Sequence, residues 1–140
     1  MRRFEQPRRI RFSDCDPAGI VFYPQYFVMF NGLVEDWVSD TLGISYAGLV
    51  MQRHVGLPTV HLETDFRAVS LLGDEVTLAL QVQRLGHRSL QLQLNCFGRG
   101  ADDVRMTARQ SIVTTSLDTH RAVPVPDDLR QAIERWQGGA

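Results

Sequence analysis

The sequence predicts an α+β domain in which one antiparallel sheet wraps around a long central helix. Apolar residues recur at three- and four-residue steps across residues 24–42, which is typical of a helix with one apolar face. Polar and apolar residues alternate across 76–83 and again across 90–96, which is typical of strands with one buried face. The predicted order is one strand, the long helix, four strands and a last helix, with hairpin-length connections that favour antiparallel pairing.

The first predicted strand covers residues 4–12. Residues 13–19 then form a loop, because they combine polar side chains with Pro and Gly. The long helix follows over residues 24–42, where Pro24 suits the first turn and Gly43 lies just beyond the last residue. At about 1.5 Å per residue this helix would be about 28 Å long, so its apolar face needs a broad sheet to cover it.

The second half of the chain provides that sheet. Residues 57–68 predict a strand, and residues 75–97 predict a hairpin that turns near Gly86. Residues 104–117 predict a further strand after the turn sequence "RGADD". The last helix covers residues 127–136, since two aspartates stand at its start and two glycines follow its end.

Length and composition favour a single globular domain. The chain has 140 residues, of which 44% are hydrophobic and 22% charged, so residues 1–140 are expected to form one domain with its own core. The net charge of −1 provides no broad basic surface for nucleic acid or an anionic membrane. The basic segment "MRRFEQPRRIRF" lacks the apolar run of a signal peptide, and no stretch approaches the roughly 18 apolar residues of a membrane span. A cytoplasmic location is therefore expected.

Cysteine and histidine spacings predict neither a disulfide framework nor a metal site. Cys15 and Cys96 are far apart in the sequence and form no CxxC pair, so both are expected to be reduced thiols. The four histidines show no metal-ligand spacing, and no G-x-S-x-G nucleophile motif occurs.

Residues 14–27, "DCDPAGIVFYPQYF", place a carboxylate loop directly before the long helix. Asp16 lies in this loop, and the apolar residues after Gly19 would shield its carboxylate from water and so raise its nucleophilicity. Gly19 also permits the backbone to pass close to a ligand. The first N–H groups of a helix have no intrahelical acceptor, and because Pro24 has no N–H, Tyr23 is the best local donor to a carbonyl oxygen. A carboxylate and an oxyanion donor are the groups that thioester hydrolysis requires.

This segment resembles the signature of the 4-hydroxybenzoyl-CoA thioesterase family of hotdog-fold enzymes. The segments "GLPTV" at 56–60, "HRSL" at 87–90 and "RAVPVP" at 121–126 fall where that family has corresponding segments, so the similarity covers nearly the whole chain. The resemblance implies the hotdog fold and hydrolysis of an aromatic or other small acyl-CoA, without a metal or organic cofactor. It also implies a homo-oligomer, a dimer or a homotetramer, in which two sheets join edge to edge and the active sites lie at the subunit interface.

The resemblance further implies that Asp16 is the catalytic carboxylate and that the Tyr23 backbone N–H polarises the thioester carbonyl. Asp16 either attacks the carbonyl as a nucleophile or activates water as a general base, and the sequence leaves both routes open. For Asp14, a role in organising the loop is favoured over a catalytic one, because aspartate commonly accepts backbone hydrogen bonds in turns.

Binding of the CoA phosphates requires cations and hydrogen-bond donors. The resemblance implies that His87, Arg88, Ser89 and Arg121 supply them, with His87 replacing what is often another basic residue. The alternative is that the two arginines are solvated surface charges at strand ends.

The acyl pocket is expected to lie along the long helix. The resemblance implies a carboxylate at the position of Asn31 in hydroxybenzoyl-specific relatives. An amide can exchange hydrogen bonds with a ring hydroxyl but offers no negative charge, so the sequence does not predict a preference for a 4-hydroxylated ring. Core packing is the favoured role for Phe30, and a structural role is favoured for His61. The candidate lining residues are Phe27, Phe30, Leu57, Pro58 and His61.

Three other functions are alternatives to aryl-CoA hydrolysis. A hotdog dehydratase would need a histidine near the helix, and none occurs between residues 1 and 53. A short-chain thioesterase of the Tol-Pal-associated type remains an alternative, although that branch usually has histidine where this chain has Pro24. A protein that binds acyl-CoA or an acyl carrier protein without turnover also remains. The acyl group itself is left open among benzoyl, hydroxybenzoyl, phenylacetyl and short alkyl groups.

Overall fold

The computed structural model describes residues 1–139 and has the α+β architecture that the sequence predicts. Three α-helices lie in these residues: α1 (Tyr23–Asp36), α2 (Tyr46–Met51) and α3 (Asp127–Gly138). The strands are β1 (Arg3–Arg9), β2 (Val55–Gly56), β3 (Thr59–Phe66), β4 (Glu75–Leu85), β5 (Ser89–Phe97), β6 (Val104–Val113) and β7 (Thr115–Ser116). None of the helices in residues 1–139 is long and apolar enough to cross a membrane.

The main sheet has five antiparallel strands in the order β1-β4-β5-β6-β3, and β2 pairs with β7 in a small separate ribbon. Leu80 lies opposite Leu94, which lies opposite Ala108, so the inward residues of the three central strands are in register. This alignment makes one continuous apolar face, against which α1 packs.

The core lies between α1 and this face. Phe30 and Leu33 of α1 are 2% and 1% exposed. Helix α3 covers one end of the core, where the rings of Trp136 and Trp37 meet edge to face with centroids 5.4 Å apart. Helix α1 therefore has the sheet on one side along its length, and the N-terminus of α1 lies at the edge of the sheet.

The long helix differs from its prediction over residues 37–41. α1 ends at Asp36, and the next five residues form a π-helical turn in which the Leu42 N–H donates to the Trp37 carbonyl at 2.9 Å. The wider turn lets Trp37 and Val38, at 0% and 1% exposed, both face the core. The apolar period continues through this turn, which is why the sequence predicts one helix.

Three predicted strands are too long, and the one predicted at 57–68 covers only Thr59–Phe66. The first ends at Arg9, because the N–H of Ile10 donates to the Asp74 carbonyl instead of to a strand, and residues 12–14 form a 3₁₀ turn. The strand predicted at 104–117 ends at Val113, and Thr115–Ser116 pair with β2. The predicted hairpin at 75–97 is confirmed, with Gly86 in its connection.

Strand β3 forms one edge of the main sheet. Its apolar side chains Val60, Leu62 and Phe66 are 61%, 41% and 52% exposed. A long, unpaired edge with exposed apolar residues is a template for pairing with another chain.

Candidate active site

Asp14 organises the loop between β1 and α1. Its side chain is buried, and it accepts hydrogen bonds from Arg8 Nη2 at 3.0 Å and from the Arg11 backbone N–H at 2.8 Å. The Asp14 carbonyl accepts from the N–H of Phe22, the residue before α1. These contacts support the structural role that the sequence favours for Asp14.

Asp16 begins a tight turn. The Asp16 carbonyl accepts from the Gly19 N–H at 2.9 Å, and its side-chain Oδ1 accepts from the Ala18 N–H, also at 2.9 Å. Gly19 has φ = 77°, a left-handed conformation that favours glycine at the end of this turn. Oδ2 of Asp16 has no protein partner within residues 1–139. The turn therefore holds the half-buried carboxylate by one oxygen and leaves the other free.

Tyr23 is the first residue of α1. No acceptor in the described part of the chain takes its backbone N–H, and Pro24 follows it. The Tyr23 ring is 59% exposed and meets Phe66 of β3 edge to face at 6.1 Å between centroids. The helix start thus presents a free donor, at the positive end of the helix dipole, beside an aromatic surface.

Cys15 stands next to Asp16 but is a poor nucleophile. Burial raises the pKa of the Cys15 thiol, and the neighbouring carboxylates of Asp14 and Asp16 raise this pKa further. The thiolate is therefore scarce at neutral pH, and the carboxylate of Asp16 is the better candidate for attack on an acyl carbon.

Two of the cavities beside α1 lie between this helix and the β3 side of the sheet. The loop cavity, of about 290 Å³, lies at the N-terminal end of α1 and is lined by Ile20, Val21, Tyr23, Tyr26, Phe66, Arg67, Ala68, Val69 and Ser70. The helix cavity, of about 360 Å³, lies one to two turns further along α1 and is lined by Phe27, Val28, Phe30, Asn31, Thr59, Leu62, Leu94 and Gln110. Both open at the exposed edge strand β3, and the size of the helix cavity suits a small organic ligand.

Three of the residues predicted to bind the acyl group line the helix cavity: Phe27, Phe30 and Asn31. Phe30 is also part of the core, as expected. Leu57 and Pro58 do not line this cavity, but they directly precede Thr59, which does.

His61 points away from the helix cavity within one chain. Successive side chains of a strand face opposite sides of the sheet, and Leu62 takes the inward direction. His61 Nε2 instead contacts Glu63 Oε1 at 3.1 Å on the outer face, where its side chain is 60% exposed. A contact between His61 and substrate stays a prediction.

Gln110 is a cavity residue that the sequence reasoning missed. Its Nε2 donates to Thr59 Oγ1 at 2.7 Å, and its Oε1 is buried with no hydrogen-bond partner in the described residues. Gln110 shares the inward side of β6 with Ala108 and Ile112. A single amide on an otherwise apolar strand face was the available signal.

The four residues predicted to bind CoA lie together. The turn at 86–89 contacts the segment 114–125, since the Thr114 N–H donates to the Arg88 carbonyl at 3.0 Å and the Val125 N–H donates to the His87 carbonyl at 2.9 Å. Within that segment, the Ser116 N–H donates to the Arg121 carbonyl at 2.9 Å. The side chains of Arg88 and Arg121 are exposed and form no salt bridge within residues 1–139. His87 is exposed and Ser89 half-buried in the same turn.

One chain does not bring this basic cluster to Asp16. The Asp16 turn contacts the chain just before β4, whereas Arg88 follows the end of β4. Strand β4 has 11 residues, and its ten steps of about 3.3 Å place its two ends about 33 Å apart. The Asp16 turn and the two arginines are therefore at opposite ends of β4.

Known proteins are similar to this chain in sequence and in fold over nearly its whole length. Residues 10–133 match the sequence model of the thioesterase-like superfamily. A 1,4-dihydroxy-2-naphthoyl-CoA hydrolase of Synechococcus sp. (strain CC9902) is 34% identical over 137 residues, which cover 94% of this chain and 87% of that protein. The 1,4-dihydroxy-2-naphthoyl-CoA hydrolase of Acaryochloris marina is 24% identical over 131 residues, which cover 92% of this chain and 94% of that protein.

Solved structures agree with the sequence matches. A mutant 4-hydroxybenzoyl-CoA thioesterase in complex with 4-hydroxybenzoyl-CoA matches with a TM-score of 0.84 at 24% identity, covering 95% of this chain and 99% of that one. A 1,4-dihydroxy-2-naphthoyl-CoA thioesterase from Synechocystis matches with a TM-score of 0.84 at 23% identity, covering 94% and 95%. The predicted hotdog fold is confirmed. The chain therefore belongs to the thioesterase-like superfamily and is a thioester hydrolase with the hotdog fold, as its sequence predicts.

Proposed function

We propose that this enzyme hydrolyses a hydroxylated aromatic acyl-CoA to the free acid and CoA, and that residues 1–140 act as one catalytic domain. The observation that carries the proposal is the presence of two free polar groups seven residues apart, one in the Asp16 turn and one at the start of α1. Oδ2 of Asp16 has no protein partner, and neither does the Tyr23 N–H, within the described residues. A nucleophilic or basic oxygen and an oxyanion donor are the minimum that thioester hydrolysis needs.

In the proposed reaction, the thioester carbonyl oxygen accepts a hydrogen bond from the Tyr23 N–H, where the α1 dipole stabilises developing negative charge. In one route, the Asp16 carboxylate forms a bond to the carbonyl carbon, the C–S bond breaks and CoA leaves as the thiolate, and water then hydrolyses the mixed anhydride. In the other route, Asp16 takes a proton from the water molecule that bonds to the carbonyl carbon, the C–S bond breaks, and the proton passes to the departing CoA thiolate. Both routes use the ionised carboxylate, and the hydrogen bond from Ala18 to Oδ1 orients it.

The proposed enzyme is at least a dimer, formed by pairing the β3 edges of two chains. In the proposed register, the two-fold axis passes between Leu62 and Glu63, so Thr59 of the partner subunit would lie opposite Phe66, whose ring contacts Tyr23. Thr59 pairs with Ile112 of β6, and Ser89 pairs with the next residue, Val113. The partner's turn at 86–89 is then about two strands, or about 10 Å, from that edge.

This pairing provides one site with both halves of the machinery. Asp16 and Tyr23 come from one chain, and the free cations for the CoA phosphates come from Arg88 of the partner subunit and Arg121 of the partner subunit. It accounts for the roughly 33 Å that separate the two groups along β4 of a single chain. Edge pairing also covers the apolar side chains that β3 exposes.

The helix cavity supports an aromatic acyl group that carries a hydroxyl. Its walls are mainly apolar, and the amides of Asn31 and Gln110 and the hydroxyl of Thr59 supply its polar atoms. The buried Oε1 of Gln110 lacks a donor among the described residues, so a phenolic O–H would satisfy it. The relatives that hydrolyse 1,4-dihydroxy-2-naphthoyl-CoA act on a hydroxylated aromatic substrate, which agrees with this chemistry.

The test is steady-state thiol release from a panel of benzoyl-, 4-hydroxybenzoyl-, 1,4-dihydroxy-2-naphthoyl-, phenylacetyl- and short alkyl-CoA substrates. We expect Asp16→Asn to lower kcat by about a hundredfold or more, equivalent to about 2.7 kcal/mol of transition-state stabilisation, with CoA binding retained. Asp102→Asn, the same chemical change at an exposed residue of the turn before β6, is the matched control and should keep wild-type rates.

Two results would contradict the proposal. Wild-type turnover of short alkyl substrates with no aryl-CoA hydrolysis would favour the Tol-Pal-associated alternative. Binding of acyl-CoA without thiol release from any substrate would favour a protein that binds acyl groups without turnover.

A further inference from the structure

Arg105 lies on β6 behind the active-site loop, where its side chain is only 12% exposed. Its Nη1 lies within hydrogen-bonding distance of three acceptors: Asp74 Oδ2 at 2.9 Å, the Val69 carbonyl at 3.1 Å and Ser70 Oγ at 3.2 Å. Its Nε and Nη2 donate to the two carboxylate oxygens of Asp103 at 3.1 and 3.0 Å. One guanidinium therefore joins the β5–β6 connection to the segment 69–74, which we call the brace segment.

The brace segment holds the chain that follows Asp16. The Val21 N–H donates to the Ser70 carbonyl at 3.0 Å, and the Leu72 N–H donates to the Gly19 carbonyl at 2.9 Å. These two bonds form a short antiparallel contact with the second half of the Asp16 turn. A shift of the brace segment would therefore move the backbone that orients the Asp16 carboxylate.

The brace segment also holds the start of α1. The Tyr26 hydroxyl donates to Ser70 Oγ at 3.0 Å in a buried contact, and Tyr26 is one turn of helix beyond Tyr23. Ser70 is 1% exposed and contacts three groups: its carbonyl binds Val21, and its hydroxyl binds both Tyr26 and Arg105. The two catalytic groups thus rest on a single buried serine that Arg105 fixes in place.

We propose that Arg105 is a positioning residue, which sets the Asp16 carboxylate against the Tyr23 N–H through Ser70 and the rest of the brace segment. The inference rests on the proposed function, since it takes those two groups as the catalytic ones. Arg105 is not itself placed in contact with substrate. Displacement of a reacting group by about 1 Å can cost about a hundredfold in rate, so a contact this close to the turn is enough to control catalysis.

The geometry requires an arginine. A guanidinium carries five N–H donors in a planar fork, which here reach two carboxylates, one hydroxyl and one carbonyl, whereas a lysine ammonium offers three donors from a single point. The pairing also lowers the pKa of both carboxylates: the Leu71 N–H and then Arg105 act on Asp74, and Arg105 acts first on Asp103. The charge of Arg105 is thereby compensated on both sides.

A purely structural role for Arg105 can be separated from positioning, because its two carboxylate partners lie on opposite sides. Asp74 belongs to the brace segment. Asp103 belongs to the turn before β6, where its Oδ2 also accepts the Arg99 N–H at 3.0 Å, and it has no contact with the Asp16 turn. Asp103→Asn therefore weakens an ion pair of the same guanidinium while it leaves the contacts of the brace segment in place. This makes it the matched control.

The experiment compares Arg105→Lys, Ser70→Ala, Tyr26→Phe and Asp103→Asn for thioester hydrolysis and for hydrogen exchange of individual backbone amides. We expect Arg105→Lys and Ser70→Ala to lower kcat about tenfold or more while KM changes less than about threefold. Tyr26→Phe should lower kcat less, since it removes one link, and Asp103→Asn should change kcat less than about twofold. Ser70→Ala and Tyr26→Phe remove single oxygen atoms, so they keep the test valid if Arg105→Lys does not fold.

Hydrogen exchange provides a readout that does not depend on activity. The Val21 amide donates to the brace segment, and the Leu72 amide donates from this segment to Gly19. Both amides should exchange about tenfold faster in Arg105→Lys and Ser70→Ala. They should exchange at the wild-type rate in Asp103→Asn. If wild-type enzyme hydrolyses no aryl-CoA, the proposed function fails while the exchange data still test the linkage. Faster exchange with unchanged kcat, or an equal loss of kcat in Asp103→Asn, would overturn the positioning role.

Discussion

Replacing Gln110 by leucine tests whether the helix cavity recognises a hydroxyl on the acyl group. Gln110 Oε1 is buried without a partner in the described residues, so the cost of removing it from water is already present in the free enzyme. A substrate hydroxyl that donates to this atom recovers about 1–3 kcal/mol. We therefore expect wild-type enzyme to favour a hydroxylated aryl-CoA over its unhydroxylated analogue by about 5- to 150-fold in kcat/KM.

Gln110→Leu should remove most of this preference. The ratio of kcat/KM for 4-hydroxybenzoyl-CoA to that for benzoyl-CoA should fall toward one, mainly by loss of activity on the hydroxylated substrate. The free energy of unfolding should change little, because leucine removes an unsatisfied buried oxygen while it also removes the 2.7 Å bond to Thr59.

Gln93→Leu is the matched control for this prediction. Gln93 lies on the outer side of β5, half-buried, with its amide near other amides at 3.4 Å. The same chemical change there should leave the substrate ratio unaltered. The recognition argument is refuted if Gln110→Leu keeps the wild-type ratio, or if Gln93→Leu alters it as much.

Four further predictions follow from the same structure. Val60→Lys on the exposed edge of β3, at a side chain that lines neither cavity, should convert the proposed dimer to monomers in analytical ultracentrifugation and abolish hydrolysis; a fully active monomer would contradict the shared site. Arg88→Ala and Arg121→Ala should each raise KM for acyl-CoA with little change in kcat, and weaken the salt dependence of KM; unchanged KM would identify them as surface charges. The pKa of Asp74 is lowered in the folded state by the Leu71 N–H and by Arg105, so its contribution to stability is present above about pH 4 and is lost as the pH falls through the lowered pKa. Denaturant unfolding of wild type and Asp74→Asn should therefore differ at pH 7 and converge at low pH. Burial raises the pKa of Cys96 to about 12, so thiol reagents should modify it at neutral pH only after unfolding; rapid labelling of the native protein would refute this.

The sequence predicts those parts of the fold that depend on side-chain periodicity. The alternation in 76–83 and 90–96 identifies the central hairpin correctly, because every second residue there faces the core. The same reasoning extends α1 too far. Periodicity reports which side of the chain is buried, and Trp37 and Val38 stay buried when the hydrogen bonding widens to a π-helical turn. The change from α-helical to π-helical hydrogen bonding depends on the local backbone, and it does not alter the order of buried and exposed residues in the sequence.

The Asp16 turn could be predicted from the sequence because its contacts join residues that are close together in the chain. Its defining contacts join Asp16 to Ala18, Gly19 and Ile20, and a helix start follows within a few residues. Gln110 and Arg105 could not be read in this way. Their partners, at Thr59 and in the brace segment, lie 51 and up to 36 residues away, so their roles depend on strand register.

The separation between Asp16 and Arg88 has a consequence for regulation by assembly. Folding of a single chain completes the Asp16 turn and the helix start, because the contacts that Arg105 and Ser70 make with them lie within the same chain. The arginines proposed to bind CoA lie beyond the far end of β4, and in the proposed dimer the antiparallel β3 edge of a second chain brings a copy of them near that turn. Loss of the edge contact should therefore remove CoA affinity while leaving the Asp16 turn intact. Slow exchange of the Val21 amide in a monomeric, inactive Val60→Lys variant is the expected result, and fast exchange would mean that the Asp16 turn also depends on the proposed dimer.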